Sequence, residues 1–347
     1  MSLKYCQHLI PLKSAEIPGP VFFIRSPQRC IGFTMAIIYN LDQLKEAPLR
    51  NPVLTIGNFD GVHKGHLTLF NKVKERAALL NGQSVVMTFE PHPIKVMMPE
   101  NGPPLITPTQ QKLKLMEEAG MDVILCVPFT EAFANISPQS FVKDLLVDKI
   151  GIREIIVGYN YSFGHKREGD IVLLQKMGKD LGFDVHVIDK ILLDQTLVSS
   201  TTVRNLVQEG RLSKVEKLLG RHYQVCGTVV RGKNRGGRLL GFPTANLKLV
   251  DELTPKLGVY AVKVLIDDKT YNGLTNIGYN PTFGNNVFSV ETHILDFSED
   301  LVGKTIRVNF IERLRDEKPF DSEEELAQQI RKDTLRARAL FKQMNED

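Results

Sequence analysis

Cysteine is scarce in this chain of 347 residues. The four present, Cys6, Cys30, Cys126 and Cys226, are far apart, with no Cys-x-x-Cys pair and no histidine spacing that completes a zinc site. A disulfide framework is therefore not expected, and the usage fits a reduced compartment. Long apolar runs are missing too: none reaches the roughly 18 residues needed to span a bilayer, so the expectation is a cytoplasmic protein without a membrane partner. Charge of one sign is not in excess. The net charge is +4, with 18 basic and 18 acidic side chains from Tyr223 onward and 26 against 22 before it. Neither half has the wholesale positive bias of a nucleic-acid binder, and nothing in the pattern demands an obligate protein partner. The commoner nucleotide signatures are absent as well. There is no Gly-x4-Gly-Lys-[Ser/Thr] loop, no His-Arg-Asp catalytic loop and no Asp-Phe-Gly. If ATP is handled here, it is handled without a Walker lysine.

What is present is a stretch that organises the first half, Val53-Leu-Thr-Ile-Gly-Asn-Phe-Asp-Gly-Val-His-Lys-Gly-His66. Val53 to Ile56 reads as a buried strand. Gly57, Gly61 and Gly65 break the extended geometry, and Leu67, Phe70, Val73, Ala77 and Leu80 then follow helical spacing. His63 and His66 thus fall where a strand becomes the first turn of a helix. Unpaired N–H groups and a positive dipole end gather at such a place, which suits phosphate; two surface histidines or a half-built metal site are the plain alternatives. Asn81-Gly82 is an αL stop for the helix. A strand over 84–89 completes a β-α-β unit and ends in Glu90-Pro-His-Pro93, which puts His92 at the ligand edge of such a sheet.

Further alternation follows. A helix is expected over 109–119, a strand over 122–129, a helix opened by Ser137-Pro138 and running to 150, and a strand over 154–157 leading into Gly158-Tyr-Asn-Tyr-Ser-Phe-Gly164. A helix over 169–181 and a strand over 184–188 repeat the pattern, as expected of a doubly wound α/β sheet. Val198-Ser-Ser-Thr-Thr-Val-Arg204 is a second anion-ready helix start. Ser213 and Glu216 form a capping box for a last helix ending near Gly220.

From Tyr223 the period becomes that of strands. Five are expected, over 223–230, 258–266, 270–277, 287–295 and 304–311, with Asp267-Asp268-Lys269 as a tight hairpin. Their spacing predicts a small antiparallel barrel. A helix over 322–344 packs on it through Leu326, Ile330, Leu340, Phe341 and Met344, with the basic run 331–342 as its solvated face. Two features exceed structural need. Arg231-Gly-Lys-Asn-Arg-Gly-Gly-Arg-Leu-Leu-Gly-Phe-Pro-Thr-Ala-Asn246 packs four cations and four glycines ahead of a Pro-Thr-x-Asn. Backbone amides there suit polyphosphate, and the Thr244 hydroxyl is a hard oxygen for Mg²⁺. In Phe288-Ser-Val-Glu-Thr-His-Ile-Leu295, alternation puts Ser289, Glu291 and His293 on one face, where a carboxylate could take a proton from an alcohol or simply meet solvent.

Taken together the motifs resemble the bacterial bifunctional riboflavin kinase/FAD synthetase family over about residues 36 to 345. The first half matches through Gly57–His66, Thr88-Phe-Glu-Pro-His-Pro93, Gly158–Gly164 and Ser199–Arg204. The second matches through Gly241–Leu247, Asn276-Ile-Gly-Tyr-Asn-Pro-Thr282 and Val290-Glu-Thr-His-Ile-Leu-Asp-Phe297. Many members of the family have Asp-Phe-Arg where this chain has Asn160-Tyr161-Ser162. The resemblance implies a Rossmann-like doubly wound nucleotidyltransferase domain followed by a small antiparallel β-barrel kinase domain with a C-terminal helix. The helix end near Gly220 and the change of period after it put the domains at 35–220 and 221–347. Four prolines (Pro11, Pro18, Pro20, Pro27) ahead of the different pattern that begins at Met35 make 1–34 an expected disordered or mis-called extension before a native start at Met35.

The same resemblance implies that riboflavin and ATP give FMN, and that FMN and a second ATP give FAD, with Mg²⁺. It implies catalytic roles for His63, His66, Arg204 and Glu291, and metal binding by Thr244 and Asn246. Gly57, Asn58, Phe59, Asp60, Gly65, His92, Asn160, Ser199, Ser200 and Thr201 would bind nucleotide or flavin in the first domain. Gly232, Lys233, Arg238, Gly241, Pro243, Thr244, Asn246, Asn276 and Thr282 would do so in the second. The alternatives are a nucleotidyltransferase for another phosphate monoester and a flavin-binding regulator with little catalysis. The kinase-half motifs argue against the first, and the presence of His63, His66, Thr244 and Glu291 against the second.

Overall fold

A computed structural model of the chain describes residues 22–24, 35–100, 102–231, 242–282 and 285–346. The first unit is a parallel sheet built from strands too apolar to expose either face. Its strands are β1 (Phe22–Ile24), β2 (Met35–Ile38), β3 (Val53–Ile56), β4 (Ser84–Glu90), β5 (Val123–Pro128), β6 (Glu154–Gly158) and β7 (Asp184–Ile188), in the spatial order β1-β2-β5-β4-β3-β6-β7. All neighbours are parallel except β1, which pairs antiparallel with β2 at the edge. Beyond that short strand, the residues of the expected extension lie outside the described ones.

Helices cover both faces of the sheet. On one side Val53, Val86, Ile124 and Ile156 pack under α1 (Lys64–Leu79) and the helix Thr109–Glu118, through Phe70, Val73, Leu113 and Met116. On the other, Leu54, Met87, Leu125 and Ile155 meet Phe141, Val142, Leu146 and Leu174. Each such side chain taken from water contributes roughly 1.5–3 kcal/mol. Between β4 and β7 come α2 (Pro93–Met97), α3 (Thr109–Glu118), α4 (Glu131–Ala134), α5 (Pro138–Ser140) and α6 (Ile171–Leu181). Ser137 caps α5 as expected, its Oγ accepting from Ser140 N at 3.1 Å, but the continuation over Phe141–Ile150 is a π-helix rather than an α-helix. Asn81, at φ 48, supplies the left-handed stop after α1.

A two-residue-strand hairpin, β8 (Leu192–Leu193) and β9 (Thr196–Leu197), leads to α7 (Ser200–Gln208) and α8 (Leu212–Leu219). The capping box expected at Ser213 and Glu216 does not form. The preceding helix ends at Gly210 (φ 73), and α8 starts early enough to bury Leu212, so Arg211 becomes the N-cap without a side-chain bond.

The second unit is a closed antiparallel barrel in the order β10-β11-β14-β13-β12-β15. Its strands are β10 (Tyr223–Val230), β11 (Ala245–Lys248), β12 (Gly258–Ile266), β13 (Lys269–Thr282), β14 (Asn285–Ile294) and β15 (Thr305–Arg315). The barrel thus has six strands where five were expected; the added one, β11, carries the Pro-Thr-x-Asn asparagine. Asp267 takes φ 51 in the two-residue turn between β12 and β13. The closing helix α9 (Glu323–Glu346) covers the outside of the barrel, where Ala337, Leu340, Phe341 and Met344 meet Val259, Ala261, Leu274 and Leu314. Its basic run is not wholly solvated: Arg336 Nη1 donates to Leu314 O at 2.6 Å, and Arg338 is bidentate on Asp296.

The two units share a core across residue 220. Val203, Leu206, Val207, Val215 and Leu218 of α7 and α8 pack in one apolar cluster with Tyr223, Val225, Tyr260 and Phe310 of the barrel, and Ile106 joins them from the connection before α3.

Candidate active sites

The stretch Gly57–His66 leaves β3 at the carboxyl edge of the sheet and turns into α1. Gly57 gives room for the Phe59 ring, whose atoms would lie 3.0 Å from a Cβ there, and Gly65 does the same for His63 at 3.1 Å. Phe59 and Val62 take left-handed backbone at φ 49 and φ 38. For bulky or β-branched residues such geometry costs on the order of 1–3 kcal/mol each and persists only where the surroundings enforce it. His63 is the N-cap of α1, and its Nδ1 accepts the His66 N–H at 3.3 Å. The proton of the neutral His63 ring is therefore on Nε2, which is left to donate outward. The His63 and His66 rings stack with centroids 3.6 Å apart, and Phe59 meets His66 edge-on at 5.1 Å. His66 Nδ1 is buried without a hydrogen-bond partner among the described residues.

Burial pushes the His63 pKa down to about 4, and burial together with neighbouring His63 holds His66 far below the imidazole range. Both rings are neutral at pH 7, so they serve phosphate as N–H donors rather than as cations. A pH dependence of stability follows. In an unfolded chain histidine titrates near 6.5, so between about pH 6.5 and 4 the unfolded chain binds a proton that folded His63 refuses. Stability is retained above this window and lost as pH falls through it, by on the order of 3 kcal/mol for this one group. Urea midpoints measured across the window should show that fall, and a flatter profile in His63→Asn assigns it. An unchanged profile in the variant would place the effect elsewhere.

The second helix start meets the first. Ser199 caps α7, accepting from Thr202 N at 3.1 Å, and Ser200 Oγ donates to Asp60 O at 2.9 Å. Thr201 is exposed at the same helix end. Asp60 is buried and saturated by protein donors: its carboxylate accepts from Ile106 N at 3.0 Å, from Thr107 N at 3.0 Å, from the Thr107 hydroxyl and from Arg204 Nη2 at 2.6 Å. Arg204 also donates from Nε to Pro104 O at 3.2 Å. Asp60, expected to bind nucleotide or flavin, and Arg204, expected to be catalytic, are bound to each other, and they tie both helix starts to the 104–107 segment.

His92 caps α2 through Nδ1, accepting from Ile94 N at 3.3 Å, and its pKa is pushed down to about 4 by burial, with the Asp60 charge opposing and the Lys112 and Arg204 charges adding. Asn58 O accepts from the Thr88 hydroxyl at 3.2 Å. Asn160 stands exposed in the turn after β6, and Ser162 beside it accepts from Arg167 Nε at 2.7 Å.

Two cations of this site were not anticipated. Lys112 is buried, donates to Phe89 O at 3.1 Å, and has its pKa lowered by that burial. Its signal in the sequence was a charge one helical turn before Met116 on the apolar face of a helix. Arg221, beyond the end of α8, donates to the carbonyls of Gly61 and Val62. A contact spanning 160 residues has no local sequence signal.

In the barrel, strand register does the assembling. Asn246 of β11 pairs with Glu291 of β14, and Glu291 pairs with Asn276 of β13. Leu247, Val290, Thr292, Thr275 and Ile277 are buried, whereas Asn246, Glu291 and Asn276 are half-buried. The three thus form one row across the outer face, and half-buried Thr244 stands immediately before β11. His293 Nδ1 donates to Pro243 O at 2.8 Å, and Phe242 meets the His293 ring edge-on at 5.5 Å. The Glu317 carboxylate lies against the Cα of Gly278, in space any larger residue would fill. Gly232, Lys233, Arg238 and Gly241 lie outside the described residues, as does the side chain of Thr282.

A parallel sheet whose carboxyl edge gathers two helix N-termini is joined to a barrel bearing Asn246, Glu291 and Asn276 on one outer face, an arrangement suited to two phosphate-transferring units. Residues 45–202 match the family model described as FAD synthetase, and residues 219–341 the one described as riboflavin kinase. The bifunctional riboflavin kinase/FMN adenylyltransferase of Escherichia coli K12 is 40% identical over 308 residues, 88% of this chain and 98% of that protein. The protein of that description from Listeria monocytogenes is 38% identical over 299 residues, 85% of this chain and 94% of its own. A crystal structure described as a macrolide-efflux protein from Streptococcus pneumoniae is 28% identical, with a TM-score of 0.76 over 87% of this chain and 98% of that one. No helix among the described residues here is long and apolar enough to cross a membrane. The chain belongs to the bifunctional riboflavin kinase/FMN adenylyltransferase family.

Proposed function

We propose that the chain makes FAD from riboflavin in two ATP-dependent steps, one in each unit, with domains at 35–220 and 221–347. The observation that carries this is the coexistence of the two-helix phosphate cradle and the Asn246–Glu291–Asn276 row in a single chain.

In the barrel, Glu291 takes the proton of riboflavin's terminal ribityl hydroxyl as the oxygen bonds to the γ-phosphorus of ATP and ADP departs. Phosphoryl transfer of this kind is mostly positioning and charge neutralisation. Thr244 and Asn246 offer hard oxygens, the donor chemistry Mg²⁺ takes when substrate phosphates and water complete its shell. Bound there, Mg²⁺ would neutralise phosphate charge. Asn276, Pro243 and Thr282 line the substrate, and the loop bearing Gly232, Lys233, Arg238 and Gly241 covers the nucleotide.

In the first domain, an FMN phosphate oxygen attacks the α-phosphorus of ATP and pyrophosphate leaves. The nucleophile is already an anion, so no general base is needed. What the site supplies is hydrogen-bond donors at the developing charge. His63, His66, Ser199, Ser200, Thr201 and Gly65 at the two helix starts provide them, Arg204 stands behind them on Asp60, and Asn160 and His92 face the flavin or adenine side. A cytoplasmic location fits both substrates.

The test is a time course with riboflavin, ATP and Mg²⁺, separating riboflavin, FMN and FAD. FMN should rise first and FAD follow. No FMN from riboflavin, with FAD still formed when FMN is supplied instead, would remove the kinase half of the proposal; FMN without FAD would remove the adenylyltransferase half.

A further inference from the structure

Arg221 sits in the connection between α8 and β10, behind the turn that carries His63 and His66. Its Nη2 donates to Gly61 O at 2.6 Å, and its Nη1 donates to Val62 O at 3.1 Å and to Leu219 O at 3.4 Å. Gly61 and Val62 have φ 88 and φ 38, so the guanidinium fork holds the carbonyls of two consecutive left-handed residues. Glycine adopts that backbone freely, whereas a β-branched valine does not. The next residue is His63, whose carbonyl accepts from His66 N and Leu67 N to open α1. The orientation of the Gly61–Val62 peptides therefore sets where the helix begins and where both imidazoles point. Asp60, at the other end of the turn, is held by Ile106 and Thr107, and Leu105 beside them bridges to Glu252 of the barrel unit.

Resting on the adenylyl-transfer reading above, we propose that Arg221 is a positioning residue for that step: it clamps the left-handed Gly61–Val62 turn and thereby aims His63 and His66 at the transferred phosphate. Arg221 acts through backbone, and it reaches the turn from the junction with the kinase domain. Burial pushes its pKa down only to about 10, which leaves the fork charged at neutral pH. A fixed planar fork suits two adjacent carbonyls in a way a lysine ammonium does not.

The experiment measures, in the full chain, initial rates of FMN adenylylation and of riboflavin phosphorylation for the wild type, R221A, R221K, V62G and the double variants. Misplacement of catalytic groups by about 1 Å costs on the order of 10²-fold, and R221A should lose about that much in kcat for adenylylation, with KM for FMN little changed and riboflavin phosphorylation intact. R221K should fall in the same direction by less. In the V62G background, where the turn needs no enforcement, removing Arg221 should cost markedly less than it does with Val62 present. Unchanged adenylylation in R221A, equal loss of both activities in R221K, or the same fold-loss with and without Val62 would each overturn the proposal. Should R221A not fold, as judged by circular dichroism, R221K and V62G/R221K decide by the same criteria. A wild-type chain that forms no FAD from FMN would instead overturn the reading beneath it.

Discussion

Glu291→Gln is expected to stop FMN formation from riboflavin while FMN-to-FAD conversion continues at the wild-type rate. The substitution keeps the size of the side chain and removes its capacity to take a proton, so the strand pairings of Glu291 with Asn246 and Asn276 remain. A positioned general base contributes typically 10²–10⁴-fold, and the kinase rate should fall within that range. The adenylyl site draws its groups from the parallel sheet and the helices α1 and α7, not from this strand, so it should be indifferent. The measurement is the pair of initial rates from chromatographic separation of the three flavins. Full kinase activity in Glu291→Gln would remove this carboxylate from the reaction and leave the row a polar surface.

Register explains why the kinase constellation was partly legible in the sequence. Alternation along 287–295 places Glu291 and His293 on one face without further information, and β14 bears that out through buried Val290, Thr292 and Ile294. The strands over 223–230 and 258–266 were likewise plain, the first as a period-2 run and the second as a β-branched apolar run between turns. β11 was not. Its four residues follow a proline and a glycine-rich tract, and it holds its place by three pairs with β10 and two with β14, a tertiary support that local propensity does not register. The same limit governs the first site. Both helix starts were visible from glycine spacing and Ser-Ser caps, which are local devices. The bonds that hold them were not, because Asp60 reaches residues 46 to 144 positions away and Arg221 reaches 160. The expected phosphate contact of Arg204 drew on its place one turn inside a helix, and nothing local reveals that its Nη2 is already engaged by a buried carboxylate.

His66→Ala should produce the opposite separation to Glu291→Gln: loss of FAD formation with riboflavin phosphorylation intact. His66 is the second imidazole of the turn, stacked on His63 at 3.6 Å and bordered by Phe59, and its neutral form presents a hydrogen-bond donor where the helix N-terminus already favours negative charge. As FMN phosphate attacks, charge builds on the α-phosphate oxygens and on the departing pyrophosphate, and preorganised donors gain strength there. Removal of one such donor costs on the order of 10²–10³ in kcat. Truncation also unstacks His63, so His66→Gln, which keeps an N–H donor but loses the ring, serves as the companion. A partial recovery in His66→Gln assigns the effect to hydrogen bonding, whereas an equal loss assigns it to the stack. In either case the kinase rate is the internal control, since the Asn246–Glu291–Asn276 row lies on barrel strands and draws nothing from this turn. A normal adenylylation rate in His66→Ala would take phosphate chemistry away from the His63–His66 turn and leave the Ser200 and Arg204 side of the cradle to account for it.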